Sequence, residues 1–171
     1  KAFIPEKEKE DLSMIAQYLL GCGVWNYDNT ISNILDVMKM HSYCFEIVTC
    51  LSPIIYYAAD SEITHKIILS NLQLLLDASV RFLNSNRLSR AIPATLCRIS
   101  ENPDYIPMMA AAPPYIIMIL KAWPKDSQIA QASTCLITNF AYAGKASLFT
   151  SALPLITAGL RQTDLVTIMC E

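Results

Sequence analysis

The residues in this 171-residue chain best suited to chemistry are its two histidines, its six cysteines and a scatter of carboxylates. None is spaced for catalysis. His41 and His65 fall in different helical segments without an HExxH or other metal spacing, and a metal site needs several convergent ligands. LLGCGVW holds the single Gly-x-Gly, lacks the third glycine and follows no strand, so it reads as a helix stop. No Gly-x-Ser-x-Gly turn is present. Asp60 and Glu62 fall where a helix begins, a place that capping explains. Cys22, Cys44, Cys50, Cys97, Cys135 and Cys170 form no CxxC pair, and most sit among apolar residues, as reduced core cysteines do. They point to an intracellular protein, cytoplasmic or nuclear. With no nucleophile–base–orienter set to name, the chain reads as a non-enzyme without metal or cofactor.

Two polar features remain. Asn139 interrupts CLITNFAYA, residues 135 to 143, an otherwise helix-interior stretch. A buried amide needs partners for its hydrogen-bonding groups, so the expectation is that Asn139 is offered to another chain. Between Asp77 and Glu101 the only charges are Arg81, Arg87, Arg90 and Arg98, a basic window inside a chain of net charge −2. That overall balance gives no reason to expect nucleic acid.

The elements that must position these residues are helical. Apolar residues recur at three- and four-residue spacing, and Pro, Gly, Asn and Asp make the breaks. One helix is expected from about Pro5 to the GCG stop and another after Asp28. A third is capped by Ser42 and kinked or broken at Pro53. The stretch opened by Asp60, down to Leu83, reads as two helices. Hydrophobic content is 53% and charged content 16%, with a mean hydropathy of +0.33. Such a chain is either largely covered in its working state or membrane-embedded. Three of its long uncharged windows, 105–120, 127–144 and 146–160, are broken by Pro113-Pro114, by Gln, Asn and hydroxyl residues, and by Pro154. No membrane span is expected. The start at Lys1 and the uncapped end LVTIMCE suggest a piece of a larger protein.

Repeats decide the architecture. YIPMMAAAPPYIIMIL (105–120) lies over ASLFTSALPLITAGL (146–160), with Pro114 on Pro154 and Leu120 on Leu160 at a shift of 40. LSRAIPATLCRIS (88–100) lies over IAQASTCLITNFA (129–141), with Leu88 on Ile129 and Ile99 on Phe140 at a shift of 41. A helical period near 40 means a stacked α-solenoid.

Residues 105 to 141 resemble one armadillo repeat. APPYIIMIL stands for its second helix, KAWPKDS for the loop, and IAQASTCLITNFA for its third helix, with Asn139-Phe140-Ala141 in place of the family's Asn-Leu-Ala ending. HEAT repeats are the near alternative. The resemblance implies an all-α, right-handed armadillo-like superhelix of about four repeats in one domain, 1–171. Its parts are divergent helices at 5–70, a repeat at 71–104, the best match at 105–143 and a truncated repeat at 144–171. It also implies a non-catalytic scaffold that holds an extended or helical segment of a partner protein. The alternative is a structural segment buried in a large assembly.

In that family the third-helix Asn lines a groove and bonds a peptide's backbone, which would be the role of Asn139. Arg98 stands in the preceding repeat's Asn position. The Trp found one turn earlier in nuclear-import adaptors is replaced by Cys135 and Ala94, which argues against a basic nuclear-localisation peptide. Stepping along the same faces reaches Arg90 and Arg87 in one repeat and Gln128 in the other. Arginines on a floor of small residues would suit a partner with acidic residues or a phosphate.

Overall fold

The computed structural model describes residues 27–160, and among them all regular structure is helical. The elements are α1 (Tyr27–Met40), α2 (Phe45–Ala58), α3 (Glu62–Ser70), α4 (Leu72–Arg81) and α5 (Asn86–Ile99). After them come a 3-10 segment (Pro103–Met109), α6 (Pro113–Ala122), α7 (Ser127–Tyr142), a second 3-10 segment (Ala146–Ala152) and α8 (Leu153–Leu160). The expected helix at Pro5, the GCG stop, Trp25 and the LVTIMCE end lie outside the described residues.

Local chemistry sets most of these boundaries. Ser85 Oγ accepts from the Leu88 N–H at 3.3 Å to cap α5, and Asp126 Oδ1 accepts from the Ile129 N–H at 3.0 Å to cap α7. Pro113 and Pro114 occupy the first positions of α6, where a missing N–H costs nothing. α7 ends in a Schellman turn: Gly144 takes φ +72, its N–H reaches Ala141 O at 2.9 Å, and the Lys145 N–H reaches Phe140 O at 2.8 Å.

Three expected signals resolve differently. Cys44, not Ser42, precedes α2, because residues 41–43 form a turn. Pro53 lies inside α2 rather than ending it. The carbonyl of Thr49 loses its usual N–H donor there, and Ser52 Oγ donates to it at 3.3 Å instead. Ser61 rather than Asp60 precedes α3, and Asp60 turns to an ion pair with Arg98. The stretch after it is two helices, divided at Asn71.

The helices α2, α5 and α7 lie side by side in one row, with α5 in the middle. They start at residues 45, 86 and 127, a regular step of 41 residues. The same step separates α3 from the first 3-10 segment (62 and 103) and α4 from α6 (72 and 113). α4 and α6 pack on each other and back onto α5 and α7, while α1 backs onto α2 and α3.

Each row helix divides its faces. On α5, Leu88, Ile92, Leu96 and Ile99 are fully buried, at the spacing of an inward stripe. Each such burial contributes about 1.5–3 kcal/mol. The stripe continues in Ile129, Leu136 and Phe140 of α7, and Phe140 meets Phe149 edge-on with ring centroids 5.2 Å apart. Trp123 wedges between units: its ring packs on the core and its Nε1–H donates to Leu83 O at 2.9 Å.

Among the described residues no single helix is long and apolar enough to cross a membrane. Pro103–Met109 and α6 pass that test only together, and they meet at a bend of 80°.

Phe140 is 0% exposed and Tyr142, two residues on, is 89% exposed. Urea denaturation should therefore show Phe140→Ala losing about 3–5 kcal/mol and Tyr142→Ala within about 0.5 kcal/mol of the parent. Equal losses would contradict the facing of α7.

Candidate functional site

The outward faces of the row form an open groove of about 760 Å³. α5 supplies its middle strip with Arg87, Arg90, Ala91, Ala94 and Arg98, and Cys97 sits deeper. α7 adds Gln128, Gln131, Ala132 and Cys135, and α2 adds Pro53, Tyr56 and Tyr57. The 41-residue step relates these strips position by position. Arg87 corresponds to Gln128, Arg90 to Gln131 and Ala91 to Ala132, while Pro53, Ala94 and Cys135 form a triplet. The result is a floor of small side chains flanked by amides and guanidinium groups.

Of the residues singled out from sequence, Arg87, Arg90, Ala94, Arg98, Gln128 and Cys135 are brought together here. Asn139 is not among the lining residues. Its Nδ2 donates to Ser100 Oγ at 2.8 Å and to Cys97 O at 3.4 Å, satisfying groups at the C-terminal end of α5. Its amide nitrogen thereby ties one row helix to the next, outside the groove lining in which the sequence expectation put Asn139.

Arg98, one step earlier, makes the corresponding reach toward α2. Its guanidinium lies 3.9 Å from the Tyr56 ring centroid and donates to Tyr56 Oη at 2.7 Å and Tyr56 O at 3.4 Å. It also pairs with Asp60. Arg98 lines the groove, whereas Asn139 does not.

Arg90 donates through Nη2 and Nε to Asp126 Oδ2 at 2.7 and 3.0 Å, and Asn86 Nδ2 joins at 2.7 Å. Asp126 therefore caps α7 with one oxygen and binds α5 with the other. Burial opposes its ionisation, but the hydrogen bonds from Arg90, Asn86 and the Ile129 N–H outweigh that and hold its carboxyl below the ordinary 3.8. Arg87 is exposed and bonds to no other described residue.

Sequence reasoning missed α2's contribution, Tyr56 and Tyr57, along with Gln131. The signal was available: extending the 41-residue step back from Arg98 lands on Tyr57.

Among the described residues, titratable groups elsewhere do not converge. His65 lies in the core, its Nε2 2.9 Å from Ala59 O and its ring edge-on to Tyr105. Among the described residues no group of three or more His, Cys, Asp or Glu could hold a metal ion. No family model matches the chain, and no curated protein or solved structure matches it either.

Because the carboxyl of Asp126 is held below its ordinary value, its stabilisation is complete above that value and is lost as pH falls through the lowered one. Asp126→Asn should lower stability by about 1 kcal/mol at neutral pH and flatten the acid limb of a stability-versus-pH curve below about pH 4. An acid limb as steep as the parent's would remove Asp126 from that role.

Proposed function

We propose that the chain is an armadillo-like α-solenoid acting as a non-catalytic interaction scaffold, with an extended or helical segment of a partner protein lying across α2, α5 and α7. One observation carries this reading: the groove lining recurs at equivalent positions of successive row helices. Such a surface offers the same kind of contact at regular intervals, which suits a chain-like ligand better than a compact small molecule. The small floor residues let a backbone approach closely, and the Gln128 and Gln131 amides suit backbone N–H and C=O groups. Arg90 and Arg98 have their charge shared with Asp126 and Asp60, whereas Arg87 pairs with none of the described residues. Arg87 therefore selects for a carboxylate or phosphate on the partner.

A second reading, a structural segment inside a larger assembly, is favoured by the exposure of Tyr142, Leu148 and Leu153 at one end of the row. The two readings differ in where binding occurs.

Selection of random dodecapeptides on the folded protein should enrich sequences containing Asp or Glu. Arg87→Glu should weaken the selected peptides by about tenfold or more, the size of one lost charge-assisted bond, and added salt should weaken them further. Asn139→Ala, checked for folding by circular dichroism, should leave affinity unchanged. Peptides indifferent to Arg87→Glu, or bound through Tyr142 and Leu153, would favour the structural reading.

A further inference from the structure

The groove runs obliquely across the row. α2 lines it only from Pro53 to Tyr57, α7 only from Gln128 to Cys135, and α5 along its whole length. The three helices are parallel, since Asp126 ties the start of α7 to the start of α5, while Arg98 and Asn139 tie helix ends. The path therefore leads from the start of α7, over the middle of α5, to the end of α2.

Its polar lining gathers toward the two ends. Gln128 and Gln131 stand with Arg87 and Arg90 at one, and Tyr56, Tyr57, Arg98 and Glu101 stand at the other. Between them, Ala91, Ala94, Ala132 and Pro53 offer no side-chain donor or acceptor. An extended chain crossing this floor would turn N–H and C=O groups onto apolar side chains, whereas a helix has already bonded its own. Oblique crossing is also a common arrangement of packed helices, and small residues at the crossing let the axes approach.

Charge sets the direction. Arg90 pairs with Asp126 and Arg98 with Asp60, whereas Arg87 and Glu101 form no ion pair with a described residue. Both are exposed. At the helical rise they stand about 20 Å apart along the direction of α5, the length of roughly four turns. A helix favours acidic residues in its first turn and basic ones in its last. Taking the groove as the binding surface proposed above, we propose that its occupant is an amphipathic α-helix of the partner protein, with its acidic N-terminal turn at Arg87 and its basic C-terminal turn at Glu101. Its apolar stripe lies on the alanine floor. The free N–H groups of its first turn meet the carbonyl oxygens of Gln128 and Gln131.

The test selects random peptides of about 18 residues, long enough for such a helix, on the folded full chain. Recovered peptides are measured by fluorescence anisotropy and by circular dichroism. The expected peptides carry Asp or Glu near their start and Lys or Arg near their end, and gain helical signal on binding. Arg87→Glu and Glu101→Lys, both at exposed positions, should each weaken them about tenfold. The double variant should instead prefer peptides with the charged ends exchanged. A proline placed at the peptide's centre should also weaken binding by at least about tenfold, because it breaks a helix. Peptides that gain no helicity and tolerate that proline, yet still depend on Arg87, would overturn the helix and leave the groove reading standing. Helical peptides with the opposite order of charges would overturn the assigned direction. Binding indifferent to both charge variants and to Ala94→Trp, checked for folding, would overturn the groove reading itself. Self-association abolished by Ala94→Trp would make the occupant a second copy of this chain and overturn the partner helix.

Discussion

The described structure depends on α5 being held between α2 and α7. Its inward stripe, Leu88, Ile92, Leu96 and Ile99, is buried and joins the apolar faces of α4, α6 and the neighbouring row helices into one core. Burying four such side chains fixes the rotation of α5 about its axis, because any turn would bring guanidinium groups inward at large cost. That rotation in turn puts Arg87, Arg90, Ala94 and Arg98 outward. The groove is therefore a by-product of core packing, repeated wherever the same stripe recurs at the 41-residue step.

Packing alone does not prevent parallel helices from sliding along one another. The polar ties resist that motion. Arg98 grips Tyr56 and Asp60 at the end of α2, Asn139 grips Cys97 and Ser100 at the end of α5, and Asp126 binds Arg90 and Asn86 at the start. Each tie satisfies groups at or near a helix end, where backbone partners run out. A similar bond from Asn102 to Glu62 at 3.2 Å links the first 3-10 segment to α3. These contacts join residues about 40 apart, so each helical unit is anchored to the one before it.

Much of the helical order was legible in the sequence because its signals are local. Pro113-Pro114 marks the start of α6, Asp126 caps α7, and the loop KAWPKDS divides them where expected. The groove strip on α5 and α7 was legible through three- and four-residue spacing. The direction of Asn139 was not, since an amide on a helix surface can meet a ligand or a neighbouring helix end, and only packing decides. Pro53 misled for a similar reason: the hydroxyl of Ser52 answers the carbonyl that proline leaves, and a neighbouring serine gives no warning of that role. α2 was missed as a groove wall because FEIVTCLSPIIYYA shares few residue types with α5 and α7, and its register shows only in where it starts.

The most direct measurement of the central claim, that the outward face of the row is where a partner lies, is an amide chemical-shift map. An isotopically labelled sample would be titrated with a peptide recovered by selection. The account predicts perturbations along one face of α5 and α7, centred on residues 87–98 and 128–135 and reaching Tyr57, with α4 and α6 quiet. Perturbations confined to α4 and α6, or to the exposed end at Tyr142 and Leu153, would contradict it.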